Sequence, residues 1–275
     1  MALSETEYQR LVPHLELVEL SVRQVLYNAN EPITHVYFPH QAIVSLVCTQ
    51  KDGSTVEAGM VSNDGMVGLS VIWGSNTTNT SAFVQIAGSS LMMETGLLQA
   101  EFNRGGELQG LLLRYTHGLF TQVTQTLACN SLHTIEQRLA RWLLFIADRM
   151  QSDTFPLTQE YIAKMLGCRR PGVTEAAGRL SRAGMISYKR GVISILNHQN
   201  LEQTSCECYS MLKTSTLNGL IYRPNMLSTR GQGAGREGKM ILSPLSLHKS
   251  LFLNAQANKV MSTGFYKKKS KFSLN

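Results

Sequence analysis

The sequence predicts an α+β chain: an N-terminal antiparallel β-roll, one long helix, and a C-terminal winged helix-turn-helix. Three stretches predict it. Residues 21–93 carry short β-type runs broken by turn residues, residues 97–128 carry an apolar helical period, and residues 157–196 read as helix, glycine turn, helix and small hairpin.

Residues 4–20 form a short amphipathic start interrupted by Pro13, with Ser4 as its cap and Glu5 and Glu7 in the first turn. The strand candidates that follow are Val22–Tyr27, His35–Phe38, Ile43–Val47, Val56–Val61, Phe83–Ile86 and Ser90–Glu94. Many short strands at regular spacing indicate an antiparallel sandwich or roll. From about Leu97 the period changes. Leu108, Leu111, Leu112, Tyr115, Leu119 and Val123 recur at three- and four-residue steps, with a break at Gly105-Gly106. Roughly 20 residues of helix span about 30 Å, longer than one small domain covers. An ordinary core helix gives the same period. The preferred expectation is a dimer helix with Leu108, Leu112, Tyr115 and Leu119 on the seam. Ser131 or Thr134 then opens a helix through Met150, with Ile135, Leu139, Trp142, Leu143 and Ile146 as its buried stripe and Arg138, Arg141 and Arg149 elsewhere. Residues 153–156 are expected to connect it to the next unit.

Thr158 suits an N-cap, Glu160 suits a first turn, and Gly167 ends the helix where positive φ costs little. Pro171 opens the second helix, about residues 170–183, which turns Val173, Ala177 and Leu180 inward. Two strands, Met185–Lys189 and Val192–Leu196, flank Arg190-Gly191, a hairpin tip. In a winged helix-turn-helix the second helix enters the major groove and its N-terminal residues reach base edges. A last short helix is expected within residues 197–212.

Charge supports this division. The net charge of +7 conceals a tail, residues 214–275, with ten basic groups and one acid. Residues 1–130 carry −6 and residues 131–213 carry +4. An acidic β-roll domain with the long helix (1–130), a basic winged helix-turn-helix domain that alone approaches phosphates (131–213) and a disordered basic tail (214–275, with a cluster at Lys267–Lys271) are therefore expected. No apolar run approaches the ~18 residues of a membrane span, and the N-terminus lacks a signal peptide's apolar segment. A cytoplasmic location with no membrane partner is expected. Five cysteines do not suggest a disulfide framework.

The run LTQEYIAKMLGCRR at residues 157–170, followed by Val173 and Leu180, resembles the helix-turn-helix of the catabolite activator and fumarate-nitrate regulator (Crp/Fnr) family. The preceding order of roll, long helix and second helix agrees, so the resemblance covers roughly residues 20–212. It implies a cyclic-nucleotide-binding-like jelly roll that senses a signal, a homodimer whose long helices relay it, a palindromic double-stranded operator, and RNA polymerase as a further partner. Arg170 matches the family's base-reading arginine, which can grip guanine O6 and N7 for about 1–3 kcal/mol of discrimination. Pro171 stands where the best-known members have a cytosine-reading glutamate, and Glu175 stands where they have a second arginine. A different half-site is therefore expected. Thr158, Arg169, Thr174, Arg179, Lys189 and Arg190 complete the expected DNA-binding set.

The sensor departs further. The family's nucleotide pocket resembles Phe-Gly-Glu-x-Ala-Leu followed by Arg-x-Ala. Here the corresponding runs are GMVGLS at residues 65–70 and NTTNTSA at 76–82, with no Lys or Arg between Lys51 and Arg104. A cyclic phosphate would lose its charge-assisted contact, so cyclic AMP is not the expected effector. Gly65, Met66, Val67, Gly68 and Leu69 remain candidates for some other small ligand.

Cys206-x-Cys208 with His198 nearby is incomplete for structural zinc and reads as a surface thiol pair. Only Cys48 precedes residue 129, which argues against a four-cysteine iron–sulfur centre, and Cys168 reads as a small core residue. No metal or cofactor is expected. Hydrolase, phosphate-loop and metalloprotease motifs are missing, and the chain does not read as an enzyme. The rival reading is a ligand-binding or protein-interaction module with vestigial DNA contacts.

Overall fold

The computed structural model describes residues 3–213, and the predicted basic tail lies outside the described residues. The chain opens with α1 (Glu5–Leu11), capped by Ser4, whose hydroxyl accepts from the Glu7 amide. The amphipathic start ends sooner than the sequence suggests. After a 3-10 turn at Val12–His14 the backbone extends into β1 (Glu16–Leu20). The roll continues through β2 (Val25–Tyr27), β3 (His35–Pro39), β4 (Ile43–Thr49), β5 (Thr55–Val61), β6 (Ser81–Ile86) and β7 (Gly88–Glu94). Its strands form two antiparallel sheets, β1-β7-β3 and β2-β6-β4-β5. Valines, isoleucines and methionines of both sheets fill the space between them, among them Val36, Val44, Val61, Val84 and Met93.

Two helices leave the roll, α2 (Thr95–Asn103) and α3 (Glu107–Leu132), separated at Gly105-Gly106, both with positive φ. At 26 residues, α3 is about 39 Å long. Its first face is not the expected seam. Leu108, Leu112 and Leu119 are 6, 4 and 9% exposed and belong to the core of the roll. The Tyr115 hydroxyl donates to the Met66 carbonyl at 3.2 Å, and Gln122 Oε1 accepts from the Met60 amide at 2.6 Å. The open side of the roll takes the most apolar stripe within reach. What remains outward is a second row, Leu113, His117, Phe120, Thr124, Leu127 and Ser131, at alternating steps of four and three. In it Leu113, Phe120 and Leu127 are 51, 67 and 68% exposed.

Thr134 and Gln137 form a reciprocal capping box that starts α4 (Ile135–Met150). Every residue of α4 from Arg138 to Ala147 is buried, because this helix stands between the roll and the winged domain. Ile43, Val47, Met60 and Ile86 of the roll share one apolar core with α4 and the helices beyond it. Polar groups cross the same boundary. Trp142 Nε1 donates to Glu57 Oε1 at 2.9 Å, and Arg149 pairs with Asp64 at 2.8 Å while its guanidinium lies 3.8 Å from the Phe145 ring centre.

The winged domain consists of β8 (Thr154–Pro156), α5 (Gln159–Met165), α6 (Arg170–Arg182), β9 (Ile186–Lys189), β10 (Val192–Ile195) and α7 (His198–Thr204). The sequence reading takes residues 153–156 for a connection. Three of those residues instead pair with β10, completing the sheet β8-β10-β9.

Candidate nucleic-acid interface

The helix-turn-helix is built by local chemistry. Thr158 caps α5, its hydroxyl accepting from the Tyr161 amide at 3.2 Å. Gly167, at φ +57°, turns the chain between the helices, and a side-chain carbon there would meet Val56 of β5 at 2.9 Å. Val173, Ala176, Ala177 and Leu180 bury one face of α6. The opposite face is open: Arg169, Arg170, Pro171, Thr174 and Glu175 are all exposed.

Arg169 is the N-cap of α6 but makes no side-chain cap, and the first turn holds no acid. Cations at this end oppose the helix dipole, where a carboxylate would be favoured by about 0.3–1 kcal/mol. Neither arginine has an ion partner among the described residues. Arg169 and Arg170 thus place two unpaired cations at a helix end where they add nothing to its stability.

Their support is rigid. The Thr174 hydroxyl donates to Gln159 Oε1 at 2.7 Å and so locks α6 to α5. The Gln159 amide donates to the Tyr188 hydroxyl at 3.1 Å, which ties the wing to the start of α5. Leu157 N donates to Gly191 O at 2.8 Å at the wing tip. Arg190 and Gly191 have φ of 50° and 78°, the paired left-handed geometry of a two-residue hairpin turn. Lys189 and Arg190 therefore project, exposed, from this tip.

Not every predicted residue is available. Arg179 pairs with both Glu136 and Glu175, so it holds α6 to α4 and carries little free charge. Glu175 is engaged in the same pair, and the Thr174 hydroxyl is committed to Gln159. Gln159 and Tyr188 were missed by the sequence reading. Their hydrogen bonds join segments about 15 and 29 residues apart, which no local pattern reports.

The predicted effector segment is packed differently. Met66, Val67 and Leu69 are buried in the roll. Gly65 N donates to Ser62 O and Val67 N to Tyr37 O. The Tyr115 ring lies so close that any side chain at Gly65 would overlap it. These side chains and two of these amides serve the core.

Residues 137–204 match the family model of the Crp-like helix-turn-helix domain. That segment is therefore a Crp-like helix-turn-helix domain, and the described chain has the fold of the Crp/Fnr regulators. FixK2 from Bradyrhizobium japonicum is similar in structure, with a TM-score of 0.61 and 18% identity over 70% of this chain and 98% of that one. A CRP/FNR-family transcriptional regulator from Thermus thermophilus gives a TM-score of 0.57 and 18% identity over 69% and 98% of the two chains. The c-di-GMP-responsive global regulator CLP from Xanthomonas campestris gives 0.56 and 13% over 70% and 100%. No curated protein matches the chain. Within the Crp/Fnr fold α3 is the long helix between roll and winged domain, and α6 is the second helix of the helix-turn-helix. No helix among the described residues is long and apolar enough to cross a membrane.

Proposed function

We propose that the chain is a homodimeric, sequence-specific DNA-binding transcription regulator. The observation that carries this reading is the pair of exposed, unpartnered arginines at the N-terminus of α6, on a scaffold that also presents Lys189 and Arg190. In the major groove Arg170 reads a base edge, while Arg169 and the wing cations hold phosphates. Pro171 has no amide hydrogen and Glu175 is held by Arg179, so discrimination concentrates on Arg170. The second copy docks along Leu113, Phe120 and Leu127, spaced seven residues apart with polar residues between, as in a coiled-coil seam. A two-fold dimer reads a palindrome. RNA polymerase and a small-molecule effector other than cyclic AMP belong to this reading as partners, and the cytoplasm is its compartment.

Gel shifts on a panel of palindromic operators at several salt concentrations test it. Arg170→Ala should lower discrimination by about 1–3 kcal/mol and leave salt-dependent, non-specific binding in place. Unchanged preference in that variant would sink the readout, and no operator preference in the unmodified chain would favour the interaction-module rival. Phe120→Glu places two carboxylates on the seam, and sedimentation should show monomers. A variant that remained dimeric would remove α3's outer row from the interface.

A further inference from the structure

The last turns of α3 and the chain after α7 converge on one point. Cys129, His133, Cys206 and Cys208 bring their ligating atoms within 4.8 Å of one another. Cys129 lies in the last turn of α3, and His133 is its C-cap, whose backbone N–H donates to the Cys129 carbonyl. Cys206 approaches from the segment after α7, and Cys208 opens the helical residues 208–213. The three cysteines are 0, 3 and 0% exposed and form a buried cluster separate from both apolar cores.

Two edges of the cluster have the length of tetrahedral coordination edges. Cys129 Sγ and Cys206 Sγ are 3.5 Å apart, as are Cys208 Sγ and His133 Nδ1. Metal–sulfur bonds of about 2.3 Å and metal–nitrogen bonds of about 2.0–2.1 Å at tetrahedral angles give edges of roughly 3.5–3.8 Å. A disulfide holds its sulfurs at about 2.0 Å. An iron–sulfur cluster places several atoms between its thiolates and needs a wider cage.

The surroundings fit as well. His133 Nε2 lies 3.3 Å from Glu207 Oε1, which orients the ring with Nδ1 toward the cysteines, the carboxylate–histidine arrangement common behind metal ligands. Gln125 Nε2 donates to Cys208 Sγ at 3.0 Å, which fixes the position of that sulfur. A dication would displace the thiol protons of all three cysteines, and three thiolates with one neutral imidazole would leave the occupied site with one net negative charge.

We propose that Cys129, His133, Cys206 and Cys208 form a tetrahedral zinc site that clasps the end of α3 to the chain following the winged domain. Three thiolates and an imidazole select zinc among common divalent ions, and four protein ligands make the site structural rather than catalytic. The sequence conceals it because the ligands come in two pairs 77 residues apart. The nearer histidine, His198, pairs instead with Asp153 at 2.6 Å.

The test uses the full chain and needs no DNA, so it stands or falls apart from the regulatory reading. Reduced protein purified without chelator should contain about one zinc per chain by elemental mass spectrometry. Cobalt added to the metal-free chain should give the strong visible bands of tetrahedral cobalt and a thiolate charge-transfer band. Cys208→Ser should lose the metal and Cys48→Ser should keep it. Should Cys208→Ser not fold, Glu207→Gln, which alters an exposed group outside the ligand set, should fold and bind zinc about 10–100-fold more weakly. Background zinc together with no charge-transfer band on cobalt titration overturns the proposal. So does wild-type zinc affinity in folded Cys208→Ser, or a Cys129–Cys206 disulfide in freshly isolated protein.

Discussion

Two groups of arginines contribute equally to the positive charge of residues 131–213 and do opposite things. Arg138, Arg141 and Arg149 on α4 point inward. Arg138 Nη2 donates to the Leu166 carbonyl, Arg149 holds Asp64, and Arg141 is 4% exposed. Arg169, Arg170 and Arg190 stand in solvent with no ion partner among the described residues. Arg138 ties α4 to the turn after α5 and Arg149 ties α4 to the roll, whereas the second group faces solvent. Net charge therefore overstates the exposed positive surface, and burial, not count, separates the two groups.

That contrast can be broken by experiment. Arg149→Ala leaves the mostly buried Asp64 carboxylate uncompensated and should cost about 3–5 kcal/mol of stability, read by urea denaturation, with operator preference of the folded protein unchanged. An altered preference would mean that the inner arginines also read DNA.

A smaller effect lies at Glu57, fully enclosed between β5 and α4. Burial lifts its carboxyl from 4.5 to about 6, against the hydrogen bonds from Ser45 and Trp142 and the charges of Arg141 and Arg149. The Ser45 hydroxyl lies 2.6 Å from Glu57 Oε2 and 2.8 Å from Gln85 Oε1, and its single proton can serve only one of them. A protonated Glu57 donating to Ser45 satisfies both contacts. Between pH 4.5 and 6 the folded chain then binds more protons than the unfolded chain. The stabilisation is complete below 4.5 and is lost as pH rises through about 6, by ~2 kcal/mol. Glu57→Gln keeps the shape and removes the proton, so the wild-type-minus-variant stability should fall across this interval. A flat difference profile would show that folding leaves the Glu57 carboxyl unshifted.

The smallest effect belongs to the wing. Lys189→Ala should weaken binding to all sequences alike and reduce the slope of log affinity against log salt by about one. A sequence-dependent loss would make Lys189 a base reader.

The winged domain is the most legible part of the sequence because its instructions are local: Thr158 as cap, Gly167 at the turn, Pro171 at a helix start, and Arg190-Gly191 at the wing tip. What escaped the sequence is what distant partners decide. Residues 16–20 continue the helical look of the start, yet they become β1 by pairing with β7 about 70 residues later, from Glu16↔Met92 to Leu20↔Gly88. The period of α3 identifies an apolar stripe but not its neighbour. The roll claims Leu108, Leu112 and Leu119, and the outward row falls to less apolar positions. The cysteine–histidine cluster was hidden for the same reason.

One contact links the two halves most directly. Gly167, the turn of the reading motif, rests against Val56 beside the hairpin that joins β4 and β5, with no side chain between them. Closely packed protein matter has low compressibility and transmits displacement instead of absorbing it. A larger residue at Gly167 would have to push either Val56 or the turn ahead of α6 out of place, so this one glycine fixes how closely the reading motif can sit against the β4–β5 side of the roll.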